Sequence, residues 1–141
     1  MSESNLWGRV REAFVLAGHM QRIESGGTAM GIPDVNYCFD GKEGWIELKH
    51  GVWPKKGSTH CFASQRGLTP EQVEWLSFRA QCGGRVWILL QVSFDVLLIP
   101  GKCAALVNGS TMAQMLELAV VRTKMPMKKE DWQKIKEKLV E

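Results

Sequence analysis

Apolar positions near the N-terminus recur at helical spacing, and further along the chain they alternate as in strands. Leu6, Val10, Phe14 and Ala17 form one stripe. This stripe predicts a first helix capped by Ser4 that ends near Gly18 or continues to Glu24. Residues 35–39 and 44–49 alternate as two strands, and the Asp40-Gly41 turn between them predicts a hairpin.

The second half of the chain predicts one well-marked helix, two strands and further helices. A helix starts at Thr69 and stops at Gly83-Gly84. Two apolar strands follow over residues 85–92 and 94–99, and helices are predicted around 111–120 and 129–139. In the last helix Trp132, Ile135 and Leu139 share a spacing typical of packing, whereas Lys134, Lys136 and Lys138 spread over the solvent side.

The order α-β-β-α-β-β predicts an α/β fold with a mixed central sheet flanked by helices. The strands before and after the Thr69 helix can be parallel through a crossover. With 141 residues, 45% of them apolar, residues 1–141 are expected to form a single domain. Its core would span about residues 5–100, and residues 101–141 would form a helical C-terminal extension.

Candidate chemistry lies on the second predicted strand and just before the first. Glu47 and Lys49 share one face of their strand, because side chains of a strand alternate. Asp34 stands thirteen residues before Glu47 and should open the neighbouring strand. Two carboxylates and an ammonium suit phosphodiester hydrolysis with Mg²⁺ or Mn²⁺. The alternative is an ordinary hairpin in which Lys49 pairs with a surface carboxylate.

The surrounding segments resemble the PD-(D/E)xK nuclease superfamily, and more closely its small VRR-NUC and Holliday-junction-resolvase-like branch. The resemblance covers roughly residues 5–100 and is carried by Arg22-Ile23-Glu24, Gly31-Ile32-Pro33-Asp34-Val35-Asn36, Trp45-Ile46-Glu47-Leu48-Lys49 and the segment 68–76. It implies a restriction-endonuclease-like core.

The resemblance also implies roles for individual residues. Asp34, Glu47 and the Leu48 carbonyl would bind a catalytic Mg²⁺, for which Mn²⁺ should substitute, and Lys49 would be the catalytic lysine. Glu24 matches the acid on the first helix, which contacts the ion through water or helps to hold a second one. The alternative for Glu24 is a carboxylate near a helix end.

Two further residues are candidates for an accessory role. Gln72 matches a glutamine near the site in some branches, but Thr69-Pro70-Glu71-Gln72 is also a capping box. His50 follows Lys49, although strand alternation directs His50 to the opposite face.

Positive charge is concentrated in two places although the net charge is only +3. Residues 1–121 are balanced, and the surplus lies in residues 122–141. Between Leu48 and Pro70 there is no carboxylate. The DNA-binding candidates in this stretch are Lys55, Lys56, Arg66 and Trp53. Such lysines would hold a phosphate backbone without reading sequence. Trp53, like Phe62, could stack on a base or anchor the loop to the core.

Other features limit the class of protein. The longest apolar stretch is too short to span a bilayer, and the N-terminus lacks a secretion signal, so we expect an intracellular protein without membrane contact. Four cysteines lie more than twenty residues apart, which predicts buried, reduced thiols rather than a zinc site. We expect no organic cofactor.

These features favour a metal-dependent DNA endonuclease, selective for branched DNA such as a Holliday junction. Paired cuts on opposed strands need two active sites, so a homodimer is expected. One alternative is a nicking or sequence-specific duplex endonuclease. Another is a nucleic-acid-binding module that has lost turnover, which the intact Asp34, Glu47 and Lys49 disfavour.

Overall fold

The computed structural model describes residues 2–23 and 30–141, which form six strands, five α-helices and a 3₁₀ turn. In chain order the elements are α1 (Glu3–Phe14), β1 (Gly18–Arg22), β2 (Val35–Phe39), β3 (Lys42–Gly51), α2 (Pro70–Gln81), β4 (Val86–Val92), β5 (Asp95–Pro100), the turn Gly101–Cys103, α3 (Ala104–Val107), α4 (Met112–Leu118), β6 (Val121–Lys124) and α5 (Lys129–Leu139).

The strands form one sheet in the order β1-β2-β3-β4-β5-β6. All neighbours are antiparallel except β3 and β4, which are parallel and aligned from Trp45↔Val86 to Gly51↔Val92. The helix α2 makes the crossover that a parallel pair requires. The predicted α/β class, with a mixed sheet flanked by helices, is therefore confirmed.

Two strands were not predicted, and the first helix is shorter than one of its predicted alternatives. The helix α1 is capped by Ser2 rather than Ser4, because the Ser2 Oγ accepts from the Asn5 N–H at 3.2 Å. It ends at Phe14, so its continuation to residue 24 is wrong. β1 follows instead, and its mostly exposed side chains give no apolar alternation. The short strand β6 lies in the C-terminal extension, which is therefore not wholly helical.

Helices cover both faces of the sheet. On one face α1 and α5 bury Leu6, Val10, Ile135 and Leu139, and the Trp132 ring meets Phe14 edge-on at 5.5 Å. The predicted packing stripe of the last helix is thus confirmed. On the other face α2, α3 and α4 bury residues such as Leu76, Val107 and Met115.

The four cysteines differ in exposure. Cys61 is buried, but Cys82 at the end of α2 is exposed, and Cys38 and Cys103 are half-buried. The prediction of four buried thiols is therefore wrong in part. All four are free thiols.

Among the described residues, no helix combines the length and apolar character that a bilayer crossing requires.

A buried tyrosine ties the last helix to the sheet. The Tyr37 hydroxyl donates to the Leu139 carbonyl at 2.6 Å and accepts from the Trp87 indole N–H at 3.1 Å. Its ring crosses Gly44, where any Cβ would overlap the phenol. Burial raises the pKa of Tyr37 to about 12. One hydroxyl therefore joins β2, β4 and α5.

Replacing this tyrosine should destabilise the fold without changing its shape. In Tyr37→Phe the Leu139 carbonyl and the Trp87 indole lose their shared buried partner, so we expect the free energy of unfolding to fall by about 1–3 kcal/mol. Urea denaturation followed by tryptophan fluorescence measures this loss. The control Ser58→Ala, at an exposed position, should stay within about 0.5 kcal/mol of the parent. A Tyr37→Phe protein as stable as its parent would contradict the stabilising role of the Tyr37 hydroxyl.

Candidate functional site

The site begins where β2 stops and β3 continues. The pairing of β2 with β3 runs only to Val35↔Ile46, so β3 extends beyond the end of its neighbour. Asp34 lies at this end, and its Oδ2 accepts the Leu48 N–H at 2.9 Å. In a β-strand the N–H and C=O of one residue point to the same side. The Leu48 carbonyl therefore lies on the open side that Asp34 occupies.

Glu47 is buried on the α2 side of the sheet, with 1% of its surface exposed. Its Oε1 accepts from the Gln72 Nε2 at 3.2 Å. Its Oε2 is buried and has no hydrogen-bond partner among the residues that the structure describes. The charge of the Asp34 carboxyl acts on Glu47 and raises its pKa. The two predicted acids are thus brought together.

The environment of Glu47 disfavours its ionised form. Burial, reinforced by the nearby Asp34 carboxyl, raises the pKa of Glu47 to about 9, and the Lys49 ammonium opposes the rise. Two carboxyls in contact in a dry site cannot both carry a charge cheaply. A cation between them would remove this repulsion.

The donor atoms fit a hard divalent cation. Glu47 Oε2 is an orphaned, buried carboxyl oxygen, and the Asp34 carboxylate and the Leu48 carbonyl supply further oxygens. In residues 2–23 and 30–141 there is no group of three or more His, Cys, Asp or Glu side chains that could hold a metal. A site with two carboxylates suits Mg²⁺, which keeps several waters, better than a closed zinc site.

Lys49 shares the face of Glu47 and is also buried, with 5% of its surface exposed. A surface ion pair, the alternative considered for this lysine, requires an exposed side chain. The charge of the buried Lys49 acts on Glu47 instead. The structure therefore gathers Asp34, Glu47 and Lys49 as the strand pattern predicts.

Gln72 both closes the capping box and contacts the site, the two roles that the sequence leaves open. Its backbone N–H donates to the Thr69 Oγ1 at 3.1 Å and its Oε1 accepts from the Thr69 N–H at 2.9 Å, which completes the predicted capping box. The remaining amide nitrogen holds Glu47. The side chain thus connects the start of α2 to the site.

Glu24, the predicted third acid, lies outside the described residues. A different acid acts on the site: Glu3, in the first turn of α1, raises the pKa of Glu47 through its charge and also acts on His50. Sequence analysis missed Glu3, because only the packing of α1 across the sheet brings it near. The one local signal was its place directly after a helix cap.

His50 lies on the face opposite Glu47, as alternation predicts. It is half-buried, and burial lowers its pKa. Its Nε2 is buried without a hydrogen-bond partner in the described part of the chain. His50 therefore does not converge with Lys49.

The loop after β3 presents the predicted basic residues. Lys55, Lys56 and Arg66 are all exposed. The Gln65 side chain bonds both backbone groups of Val52 and the Cys61 carbonyl, which closes the loop onto the end of β3. This loop has the exposed charge that contact with a phosphate backbone requires.

The two aromatic residues of the loop face the protein. The Trp53 indole N–H donates to Asp95 Oδ2 at 2.7 Å, and its backbone N–H donates to Ser93 Oγ at 3.1 Å. Phe62 is buried among core residues. These contacts favour anchoring of the loop over base stacking.

Comparisons with known proteins find similarity among solved structures only. No protein-family profile matches the chain. A search of curated proteins returns no match. Among solved structures the chain is similar to Hjc, a Holliday junction resolvase from the archaeal hyperthermophile Archaeoglobus fulgidus, with 17% identity over 71% of this chain and 74% of that chain and a TM-score of 0.45. A likeness of this strength carries no weight for function, which we infer from the site itself.

The buried carboxylate predicts an unusual stability response. Burial raises the pKa of Glu47 to about 9, so at neutral pH without an ion folding must protonate this carboxyl, which costs free energy. Glu47→Gln removes that cost, so in EDTA at neutral pH we expect the variant to be more stable than the parent by about 1–3 kcal/mol. Added Mn²⁺ should stabilise the parent but not the variant. Thermal unfolding with and without the ion measures both effects.

The matched control is Glu43→Gln, an exposed position on the same strand. It should respond to Mn²⁺ as the parent does and change little in EDTA. A Glu47→Gln variant that is less stable than the parent in EDTA would contradict this account of the site.

Proposed function

We propose that this chain is a metal-dependent DNA endonuclease of the PD-(D/E)xK type that acts on branched DNA. The observation that carries the proposal is the convergence of Asp34 and Glu47, with an orphaned buried oxygen on Glu47, beside the buried Lys49. An ordinary sheet has no need of two carboxyls and an ammonium in a dry position. Phosphodiester hydrolysis uses all three.

The oxygens of Asp34, Glu47 and Leu48 would hold Mg²⁺ or Mn²⁺. When bound, the ion supplies neutralisation of charge on the phosphoryl oxygens and a lowered pKa of bound water. The protein's contribution is to fix the donors. Asp34 is oriented by the Leu48 N–H, and Glu47 is oriented by the amide of Gln72.

Lys49 would act on the reacting phosphate or on the attacking water. Its ammonium lies on the same face as Glu47 and has little solvent around it, so its charge is weakly screened. A preformed positive charge at this point favours the transition state, in which negative charge spreads over the phosphoryl oxygens.

The substrate class is inferred from the basic loop and from the resemblance of the sequence motifs to Holliday-junction-resolvase-like nucleases. Exposed Lys55, Lys56 and Arg66 directly follow the strand that carries Glu47 and Lys49. Backbone contacts of this kind give affinity without base readout, which suits an enzyme that selects DNA by shape. Paired incisions at a four-way junction need two sites, and we propose that a symmetric dimer supplies them.

Removing either central group should abolish cutting. We expect Lys49→Ala and Glu47→Ala each to lower the rate of Mg²⁺-dependent cleavage of a labelled four-way junction by at least about 100-fold. Both variants should still bind the junction. Lys42→Ala and Glu43→Ala, exposed positions on the same strand, are the controls and should cut at the parent rate.

The same assay on linear duplex tests the substrate. Faster cutting of the junction supports selection by shape. Equal cutting of both, or cuts at fixed sequences in a plasmid, would overturn it in favour of a duplex endonuclease. Unchanged cleavage by the Lys49 or Glu47 variant would remove the proposed mechanism.

The loop lysines should contribute to affinity rather than to chemistry. In Lys55→Ala/Lys56→Ala we expect weaker DNA binding for every sequence, and the slope of log K against log salt should become shallower by about 0.9 for each lost phosphate contact. Fluorescence anisotropy over a salt series measures the slope. The adjacent exposed pair Lys128 and Lys129, replaced by alanine, is the control. An identical slope for the parent and the loop variant would contradict a contact between these two lysines and the DNA phosphates.

A further inference from the structure

The turn between β4 and β5 carries an aromatic side chain that faces water. Val92 pairs with Asp95, so Ser93 and Phe94 form a two-residue hairpin turn. Such turns are usually built from Gly, Asn, Asp or Ser, because they are exposed and need special backbone angles. Phe94 is 66% exposed, so its ring contributes little to the core. The turn therefore presents a phenylalanine where folding alone favours a small or polar residue.

The backbone of this turn is held from both sides. The Ser93 N–H donates to the Gly51 carbonyl at 3.0 Å, and the Ser93 Oγ accepts from the Trp53 N–H at 3.1 Å. On the other side the Phe94 carbonyl accepts from the Met125 N–H at 2.7 Å. These bonds fix Ser93 at a φ of 53°, which is uncommon outside glycine. An aromatic ring on a fixed turn loses little conformational entropy when it binds a partner.

The turn lies at the same end of the sheet as the candidate site. β3 and β4 are parallel, Lys49 pairs with Leu90, and Phe94 follows Leu90 by four residues. At about 3.3 Å for each residue of a strand, the turn stands roughly 10 Å beyond Lys49. A stacked DNA strand rises about 3.4 Å for each nucleotide. A strand whose scissile phosphate lies at Lys49 would therefore bring a base about three nucleotides away to Phe94.

Exposed cations lie on both sides of the turn. Asp95, directly after Phe94, pairs in register with Lys124 on β6. The Lys124 Nζ lies 3.5 Å from the Asp95 Oδ1, and the lysine side chain is 79% exposed. On the other side the loop that follows β3 presents Lys55 and Lys56. Lysines that hold phosphates beside an aromatic ring that stacks on a base are the combination typical of single-stranded nucleic-acid binding.

We propose that Phe94 stacks on a base exposed at the branch point of the DNA substrate. Bases beside an open branch point lose a stacking neighbour, and the Phe94 ring replaces it. In a linear duplex every internal base is already stacked on both sides, so the ring gains no contact there. The inference deepens the proposed function and rests on it for the identity of the ligand as DNA. Phe94 thus selects branched over linear DNA, whereas Trp53 anchors the neighbouring loop to Asp95.

Substitutions of Phe94 test the stacking contact through binding alone. Fluorescence anisotropy in EDTA measures the dissociation constants for a four-way junction and for linear duplex of the same sequence. Phe94→Ala and Phe94→Leu should each raise the constant for the junction by about tenfold and the constant for the duplex by less than about twofold. Phe94→Trp keeps an aromatic face and should bind the junction as the parent does. The leucine variant separates stacking from a merely apolar contact.

Phe78→Ala is the matched control, because Phe78 is equally exposed, at 65%, but lies on α2. It should leave both dissociation constants unchanged. Thermal unfolding of Phe94→Ala should match that of the parent, since the replaced side chain is largely in water. Weaker binding by this variant is then not a consequence of unfolding.

A set of junctions that each lack one base near the branch point locates the stacked base. One of these abasic positions should weaken binding by the parent about tenfold. The same position should have no further effect on Phe94→Ala, because both changes remove one shared contact. Junction binding at the parent level by the alanine or leucine variant would overturn the proposal. So would an equal loss on linear duplex, a tryptophan variant as weak as the alanine variant, or the same abasic penalties in both proteins.

Binding is measured without metal, so its outcome is separate from that of the nuclease assay. If junction binding depends on Phe94 and no DNA is cut, the proposed nuclease activity fails and the stacking site stands. If the parent cuts junctions and Phe94→Ala binds and cuts them equally well, the stacking site fails alone.

Discussion

The geometry of the site depends on one hydrogen bond at a step in the sheet. Because β3 continues past the end of β2, the Leu48 N–H has no strand partner on that side, and the Asp34 carboxylate accepts it. An unpaired backbone donor in this position would be costly, so the sheet itself fixes where Asp34 points. The same bond leaves the Leu48 carbonyl on the open side and brings Asp34 against Glu47. The oxygens of Asp34, Glu47 and Leu48 are therefore gathered where β3 has no strand partner on the β2 side.

The helix α2 contributes to both the sheet and the site. Its position between β3 and β4 makes their parallel pairing possible, and its first turn is closed by the reciprocal bonds of Thr69 and Gln72. The side-chain amide of this capping glutamine also donates to Glu47, so the ordered first turn of α2 holds the Glu47 carboxyl in place. One element therefore orders both the sheet and the site.

The site is maintained at a cost in stability. Glu47 and Lys49 are buried beside each other, yet one Glu47 oxygen has no hydrogen-bond partner in the described residues, and Asp34 adds repulsion. A core selected for stability alone would place apolar side chains at these two positions. The surrounding core offsets the cost, with Tyr37 joining three elements and helices packed on both faces. Local strain inside a well-satisfied fold is typical of functional positions.

The sequence by itself determined the helix α2, the strands β2 to β5 and the face shared by Glu47 and Lys49, because strand alternation and helix capping are local properties of neighbouring residues. It did not reveal β1 or β6: the first has few buried side chains and the second has four residues, so neither leaves a clear periodic signal. Only the tertiary structure decided that Lys49 is buried and that Trp53 donates a hydrogen bond to Asp95. It also decided that Gln72 serves both the helix start and Glu47. The effect of the Glu3 charge on the pKa of Glu47 likewise depends on the fold. Each of these depends on residues far apart in the chain, and burial and charge interactions are set by what the fold places around a side chain rather than by its neighbours in sequence.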